Sequence, residues 1–193
     1  MKSRCRLSSE AYVGLGANLG NPRETFEKAL VLIAGFAEVV AVSRLYRSSP
    51  FGFSDQPDFV NAVAKVITEL PSQDILRKLR AVENALGKKV IRTNGPRVID
   101  LDLLLHGNQV LDAEGLTIPH PGISSRDFVL APLIDLAPDL CHPVTGKSFR
   151  EMLAELKEPF VSSPPEDWLP ELVSPLRKGT SQGKDSEKTF HEK

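Results

Sequence analysis

Gly95-Pro96-Arg97-Val98-Ile99-Asp100-Leu101-Asp102-Leu103-Leu104-Leu105 enters as a loop and continues as a strand. Side chains alternate faces along a strand, so Asp100 and Asp102 share one face while Ile99, Leu101, Leu103 and Leu105 share the other. Two carboxylates this close repel each other and lose solvation when partly buried, and a divalent cation between them removes both penalties. Hard oxygen ligands suit Mg²⁺ or Mn²⁺, which keep several waters and share substrate phosphates. The plain alternative is a solvated strand face. Against it stand the cations Lys88, Lys89, Arg92 and Arg97 in a loop that also holds Thr93, Asn94 and Gly95. Cations beside a metal-binding pair point to a polyphosphate.

Upstream, Ala11 to Gly16 reads as a short strand that runs into Asn21, an N-cap, and Pro22, the first residue of a helix with Phe26, Leu30, Ile33 and Ala37 at helical spacing. Glu38 to Tyr46 reads as a second strand. A Ser-, Pro- and Gly-bearing loop, Arg47 to Pro57, follows and is long enough to be functional. From Asp58 to Leu70 the pattern alternates: Val60, Ala62, Ala64 and Val66 face one way, Phe59, Asn61 and Val63 the other. Ser72 is placed to cap a helix carrying Ile75, Leu79, Val82 and Leu86, with Glu83 beside that stripe.

Downstream, Gln109 to Asp112 reads as a short returning strand and Leu116 to His120 as an extended run into Pro121. Arg126 to Leu136 reads as a helix in two pieces divided at Pro132, and Ser148 with Glu151 forms a capping box for one more helix. The order of elements predicts an α+β fold with a βαββαβ antiparallel sheet covered by helices on one face. If the helices cover the side of Val60, Ala62, Leu101 and Leu103, then Phe59, Asn61, Asp100 and Asp102 line a common cavity on the other.

Composition narrows the class. A chain of 193 residues suits one domain with a real core, and 24 basic against 25 acidic residues lacks the excess of a nucleic-acid surface. Cys5 and Cys141 match neither a disulfide framework nor a zinc site. No apolar run has the length of a signal peptide or a membrane span, so a cytoplasmic protein without membrane or nucleic-acid partners is expected. Residues 1–10 read as a short N-terminal extension, 11–160 as the domain and 161–193 as a disordered tail. In that tail Trp168 is an incidental exposed aromatic unless it docks.

Five motifs in order, Gly16-Ala17-Asn18-Leu19-Gly20, Asp55 through Asn61, Gly95 through Asp102, Pro119-His120-Pro121 and Arg126-Asp127-Phe128, closely resemble the 6-hydroxymethyl-7,8-dihydropterin pyrophosphokinase family. The resemblance runs from about Ala11 to Phe160. It implies a ferredoxin-like fold and, in folate biosynthesis, transfer of pyrophosphate from ATP, the co-substrate, to the hydroxymethyl group of a reduced pterin, releasing AMP.

Carried over by resemblance, Asp100 and Asp102 are the ligands of two Mg²⁺ ions, and Arg97 holds the phosphates, its plain alternative being an ion pair with Asp100. Arg92 joins Arg97 and the two aspartates in the catalytic set. Glu83, Lys88, Leu103, Thr117, His120 and Arg126 complete the nucleotide site with Arg97. Phe59 and Phe128 are the aromatic pair that sandwiches the pterin, Asn61 recognises its edge, and groups around Ser48 and Phe51 take its remaining polar atoms. Small-molecule substrates and a monomer are expected. Asn94 stands where many members carry Trp, Ser49 where many carry Pro, and the 88–94 loop is one residue short. Two rival readings are another Mg²⁺-dependent transferase, which would release ADP or pyrophosphate, and a non-catalytic binding relative, which would turn nothing over.

Overall fold

The structure is a computed structural model and describes residues 8–89 and 93–173. Its centre is β1 (Ser9–Ala17), an uninterrupted strand with Val13, Leu15 and Ala17 on one face and Gly14 and Gly16 on the other. The other elements are α1 (Pro22–Ala34), β2 (Glu38–Val42), β3 (Tyr46–Ser48), β4 (Phe59–Thr68), α2 (Ser72–Ala85), β5 (Asp100–His106), β6 (Leu111–Ala113), β7 (Leu116–Ile118), α3 (Asp127–Leu136) and α4 (Phe149–Glu155). The main sheet runs β2-β4-β1-β5, all neighbours antiparallel, with β3 pairing β4 beyond the end of β2; β6 and β7 form a separate hairpin.

Local chemistry accounts for most boundaries. Asn21 Oδ1 accepts from the Glu24 N–H and Pro22 takes the first helical position, where its missing N–H costs nothing. The capping box of α4 is complete: the Glu151 N–H donates to Ser148 Oγ, and the Ser148 N–H donates to the Glu151 carboxylate. Ser72 does not cap α2. It is the first helical residue, and its hydroxyl donates to Gln109 Oε1 and meets His106 Nδ1. The strand expected over Glu38 to Tyr46 is cut at Ser43, whose hydroxyl takes the Val63 N–H in place of a main-chain carbonyl. The division of the α3 region at Pro132 is not found either. The proline removes one N–H, but Leu130 and Leu133 on the same helix are fully buried, and that burial outweighs one lost bond.

Two apolar layers sandwich the sheet, which corrects the expectation of helices on one face. Phe26, Leu30 and Ile33 of α1 and Ile75, Leu79 and Val82 of α2 pack on Val13, Leu15, Ala62, Ala64, Leu101 and Leu103. On the opposite face Leu130 and Leu133 of α3 and Phe149 and Met152 of α4 pack on Tyr12, Val63, Leu104 and Leu105. Leu105 reaches this second layer because the pairing shifts between Tyr12 and Val13, leaving Leu104 bulged opposite no partner. The helices of the second face cover only one end of it, because the other end carries Asn61, Asp100 and Asp102 and the bare backbone of Gly14 and Gly16.

Residues 161–173, expected to begin the tail, pack on the domain. The segment runs along the free edge of β3: the Ser49 N–H donates to the Phe160 carbonyl, the Ser162 N–H to Arg47, and Leu45 and Glu166 exchange two bonds. Trp168 docks, 5% exposed, with its Nε1–H on the Ser43 carbonyl at 2.6 Å and its ring edge-on to Phe26. A large aromatic with its one donor satisfied is worth burying whatever the composition around it. Residues 174–193 lie outside the described residues, as does most of the expected 1–10 extension; Ser9 and Glu10 belong to β1.

Candidate active site

The uncovered end of the second sheet face is a pocket. Its floor is Gly14 and Gly16 of β1 with Asn61 of β4 and Asp100 and Asp102 of β5, and its walls include Ser48, Phe51, Phe59, Asn94, Arg97, Arg126 and Phe128. Register explains the floor: Gly16 pairs with Asn61 on one side and Asp100 on the other, and Gly14 pairs with Asp102. Phe59, Asn61, Asp100 and Asp102 therefore share one cavity, as the alternation predicted.

The carboxylates sit among cations. Lys88 Nζ lies 2.6 Å from Asp100 Oδ1 and 2.7 Å from Glu83 Oε1, and Arg97 Nε approaches Asp100 Oδ2 at 3.4 Å without forming a hydrogen bond. The ion pair that is the plain alternative for Arg97 is thus present in a loose form. Burial works to lower the Lys88 pKa, but its bonds to Asp100 and Glu83 outweigh that and hold it above the ordinary lysine value. The Asp102 carboxyl is raised, first by its crowded place on the pocket floor and then by the Asp100 charge. Its side chain nonetheless keeps 43% of its surface exposed, so the crowding does not shut out solvent or ligand. His120 Nε2 stands 4.0 Å from Asp102 Oδ1; its Nδ1 accepts from the Gly122 N–H, which leaves the proton of a neutral ring on Nε2, facing the aspartate.

These donors fit a hard divalent cation. They are carboxylate oxygens open to a pocket, and among the described residues no cluster of three or more His, Cys, Asp or Glu forms a cage. The remaining coordination positions would fall to water and substrate phosphate, as Mg²⁺ prefers. Two buried guanidinium nitrogens, Arg97 Nε and Arg126 Nε, have no hydrogen-bond acceptor among the described residues. Each guanidinium lies over an aromatic ring, Arg97 over Phe59 at 5.0 Å and Arg126 over Phe51 at 4.7 Å and Phe128 at 5.9 Å. Flat rings and unpaired guanidinium donors suit a ligand that is both planar and anionic.

A family model described as "7,8-dihydro-6-hydroxymethylpterin-pyrophosphokinase (HPPK)" matches residues 12–138, more than half of the chain. The chain belongs to this family. It is 48% identical over 150 residues to the 2-amino-4-hydroxy-6-hydroxymethyldihydropteridine pyrophosphokinase of Pseudomonas aeruginosa, covering 77% of this chain and 92% of that protein. The enzyme of the same name from Haemophilus influenzae is 44% identical over 135 residues, covering 69% and 84%. The folic acid synthesis protein fol1 of Pneumocystis carinii is 44% identical over 151 residues, 77% of this chain but 20% of that longer protein. The fold of a pyrophosphokinase domain is also found in the Plasmodium falciparum HPPK-DHPS wild-type crystal structure, with a TM-score of 0.64 at 14% identity, covering 79% of this chain and 45% of that one.

Within this pyrophosphokinase domain not every expected site residue reaches the pocket. The Leu103 side chain is in the core under α1 and α2, on the face opposite Asp102, because it is one residue out of phase with the carboxylates, and only its main chain is on the strand that bears them. Glu83 is also set back from the pocket lining. It is buried beneath the floor, where its Oε1 accepts from Lys88 and from the Leu101 N–H, and burial pushes its carboxyl above the ordinary value against those bonds. It supports Lys88 and β5 from below. Thr117 is exposed on the β6–β7 hairpin with its hydroxyl on Asp112. Asn61 spends its amide N–H groups on Ser48 Oγ at 3.0 Å and the Tyr46 carbonyl at 3.3 Å, so only its oxygen is uncommitted among the described residues. Arg92 lies outside the described residues.

Sequence reading placed Asn18 and Gln56 in motifs without giving them work. Asn18 Oδ1 accepts from the Arg97 N–H at 2.8 Å, while its Nδ2 donates to Gln56 Oε1 and to the Pro57 carbonyl, both at 3.0 Å. Gln56 Nε2 then donates to the Asn94 carbonyl at 2.7 Å. These two amides stitch three loops together and aim Arg97. The signal was available: an amide inside a loop motif is a side chain suited to holding two main chains at once.

Proposed function

We propose that this chain transfers pyrophosphate from ATP to the hydroxymethyl group of 6-hydroxymethyl-7,8-dihydropterin, with release of AMP, as a step of folate biosynthesis. Family membership and the names of the bacterial relatives support the reaction class. The observation that carries the substrate assignment is one pocket that joins a carboxylate pair to aromatic walls across a strand of glycines.

In this reading the pterin lies between Phe59 and Phe128, with Asn61 Oδ1 accepting from its ring edge and Ser48 holding the Asn61 amide in place. The hydroxymethyl end then points across β1 toward Asp100 and Asp102. Arg97 and Arg126 bring charge-assisted donors to the triphosphate, and His120 Nε2–H adds a third donor beside Asp102. Asp100 and Asp102 would hold two Mg²⁺ ions, which supply charge neutralisation and alignment of the phosphates. The hydroxymethyl oxygen attacks the β phosphorus in line, the bond from that phosphorus to the oxygen bridging to the α phosphate breaks, AMP leaves with that oxygen, and the hydroxyl proton passes to solvent. Lys88, bonded to Asp100 and Glu83, adds a positive charge beside the carboxylate pair. The strand order supports a ferredoxin-like topology, and a cytoplasmic setting belongs to the same reading.

The test is to incubate the chain with ATP, Mg²⁺ and the pterin and to quantify AMP against ADP, with Asp102→Ala beside it. AMP that requires pterin and disappears in the variant is the expected result. ADP or pyrophosphate as product would move the protein to another transferase class, and pterin binding without turnover would make it a binding relative.

A further inference from the structure

Inside the pocket, Arg126 stacks on two of the aromatic walls, Phe51 at 4.7 Å and Phe128 at 5.9 Å; a second support comes from outside the lining. Phe51 stands on a loop and is 38% exposed, so its ring depends on the few side chains that touch it. Two edge-on contacts restrain the walls. The Phe160 ring centroid lies 5.5 Å from that of Phe51 at 60°, and 5.9 Å from that of Phe128 at 88°. Phe160 is not part of the pocket lining; it abuts two rings that are.

Phe160 is in turn held by its main chain. Asp127, only 6% exposed, accepts from the Phe160 N–H at 2.8 Å and the Val161 N–H at 2.9 Å through Oδ2, and from the Phe128 N–H at 2.8 Å through Oδ1. The Phe160 carbonyl accepts from the Ser49 N–H at 2.9 Å. One carboxylate therefore ties the start of α3, whose neighbours Arg126 and Phe128 line the pocket, to the returning segment after α4. The transfer chemistry has no use for Asp127. A buried carboxylate is costly to keep unless its bonds are made, and here three main-chain donors make them.

We propose that Asp127 and Phe160 are positioning residues for the pterin subsite: together they brace Phe51 and Phe128 at a fixed distance from Phe59, so that a flat ring fits between. This rests on the pterin assignment above. The brace acts on the pterin first, because Asp100 and Asp102, which would hold the metal ions for the nucleotide phosphates, are carried by β5 and lie outside the segment after α4; of the groups given to the triphosphate, Arg126 alone stacks on the braced rings.

The experiment is calorimetric titration of the full chain with 6-hydroxymethyl-7,8-dihydropterin in the presence of Mg²⁺ and a non-hydrolysable ATP analogue, and separately with the analogue alone. The variants are Phe160→Leu, Phe160→Tyr and Asp127→Asn. Phe160→Leu and Asp127→Asn are expected to weaken pterin binding by about three- to tenfold, and Phe160→Leu, which leaves Asp127 and Arg126 in place, keeps nucleotide binding within about twofold of the parent. Phe160→Tyr, which keeps the ring edge, is expected to bind pterin like the parent. Unchanged pterin affinity in Phe160→Leu, or pterin and nucleotide affinities falling together, would overturn the proposal. If Asp127→Asn fails to fold, the contrast between Phe160→Leu and Phe160→Tyr decides alone. A parent chain that takes no pterin at all would overturn the functional reading along with the brace, and that outcome is visible before any variant is made.

Discussion

Asn61 and Asp100 face each other across Gly16, each paired with it from a neighbouring strand. The amide proposed to recognise the pterin and the carboxylate proposed to bind metal are thus set one strand away on either side of a residue with no side chain, and in that reading the reacting hydroxymethyl group lies in the gap. A Cβ built on Gly16 would stand 3.6 Å from Asn61 Oδ1 and 3.9 Å from Asp100 Cβ, which is ordinary contact. Gly16→Ala should therefore fold and retain activity, whereas Gly16→Leu should fill the gap. Its KM for pterin should rise by about tenfold or more, the scale of a lost pocket contact. Steady-state kinetics on both variants, with a thermal melt to confirm folding, checks this.

Asn18 fixes Arg97 through the main chain. Asn18→Ala removes the acceptor of the Arg97 N–H and two donors to the facing loop, leaving the Arg97 main chain held only through its carbonyl by the Asn18 and Leu19 N–H groups, so the guanidinium shifts. Displacement by an ångström costs about a hundredfold in a positioned reaction, and we expect kcat/KM to fall on that order. Circular dichroism should show the fold unchanged, since the side chain lies at the site and outside both apolar layers.

Trp168 is a structural residue. Trp168→Ala should cost about 3–5 kcal/mol in urea unfolding, the range for large aromatics removed from a core. Truncation after Phe160 should destabilise comparably, because it removes Trp168 and Val173 together with the pairing along β3. A chain cut there that unfolds like the parent would mean the segment contributes nothing.

Asp135 joins α3 to the sheet edge by accepting from the Arg44 backbone and guanidinium and from the Tyr46 hydroxyl. Burial alone would raise its carboxyl, but those bonds outweigh burial and hold it below the ordinary range. A depressed folded pKa gives stability that is present above the unfolded value and is lost as pH falls through it toward the folded one. Tyr46 behaves oppositely: burial and Asp135 push its phenol up to about 12, so its stabilisation is present below the ordinary value of 10.0 and fades as pH rises from there. Asp135→Asn should lose about 2 kcal/mol at neutral pH and flatten the acid limb of the stability curve. Tyr46→Phe should flatten the alkaline limb. Denaturant unfolding across pH measures both.

The sequence by itself determined the alternation of β4 and β5, the caps of α1 and α4, and the carboxylate pair with its cationic loop. Each depends on residues within a few positions of one another, where strand period and capping chemistry leave little freedom. It even placed Phe59, Asn61, Asp100 and Asp102 on a common face, since all four follow from a period of two once the apolar face is known. Only the tertiary structure decided what covers the second face. Leu105 joins Leu104 in the α3 and α4 layer because of a bulge set by pairing with β1, and no local pattern announces it. Tertiary packing also decided that Glu83 and Leu103 lie beneath the floor, that Ser72 answers His106 in place of its own helix, and that residues 161–173 belong to the domain. A segment of mostly polar residues and prolines has no period to read. Its place is settled by one buried tryptophan and by main-chain donors meeting acceptors more than a hundred residues away, contacts that exist only once the sheet edge is formed.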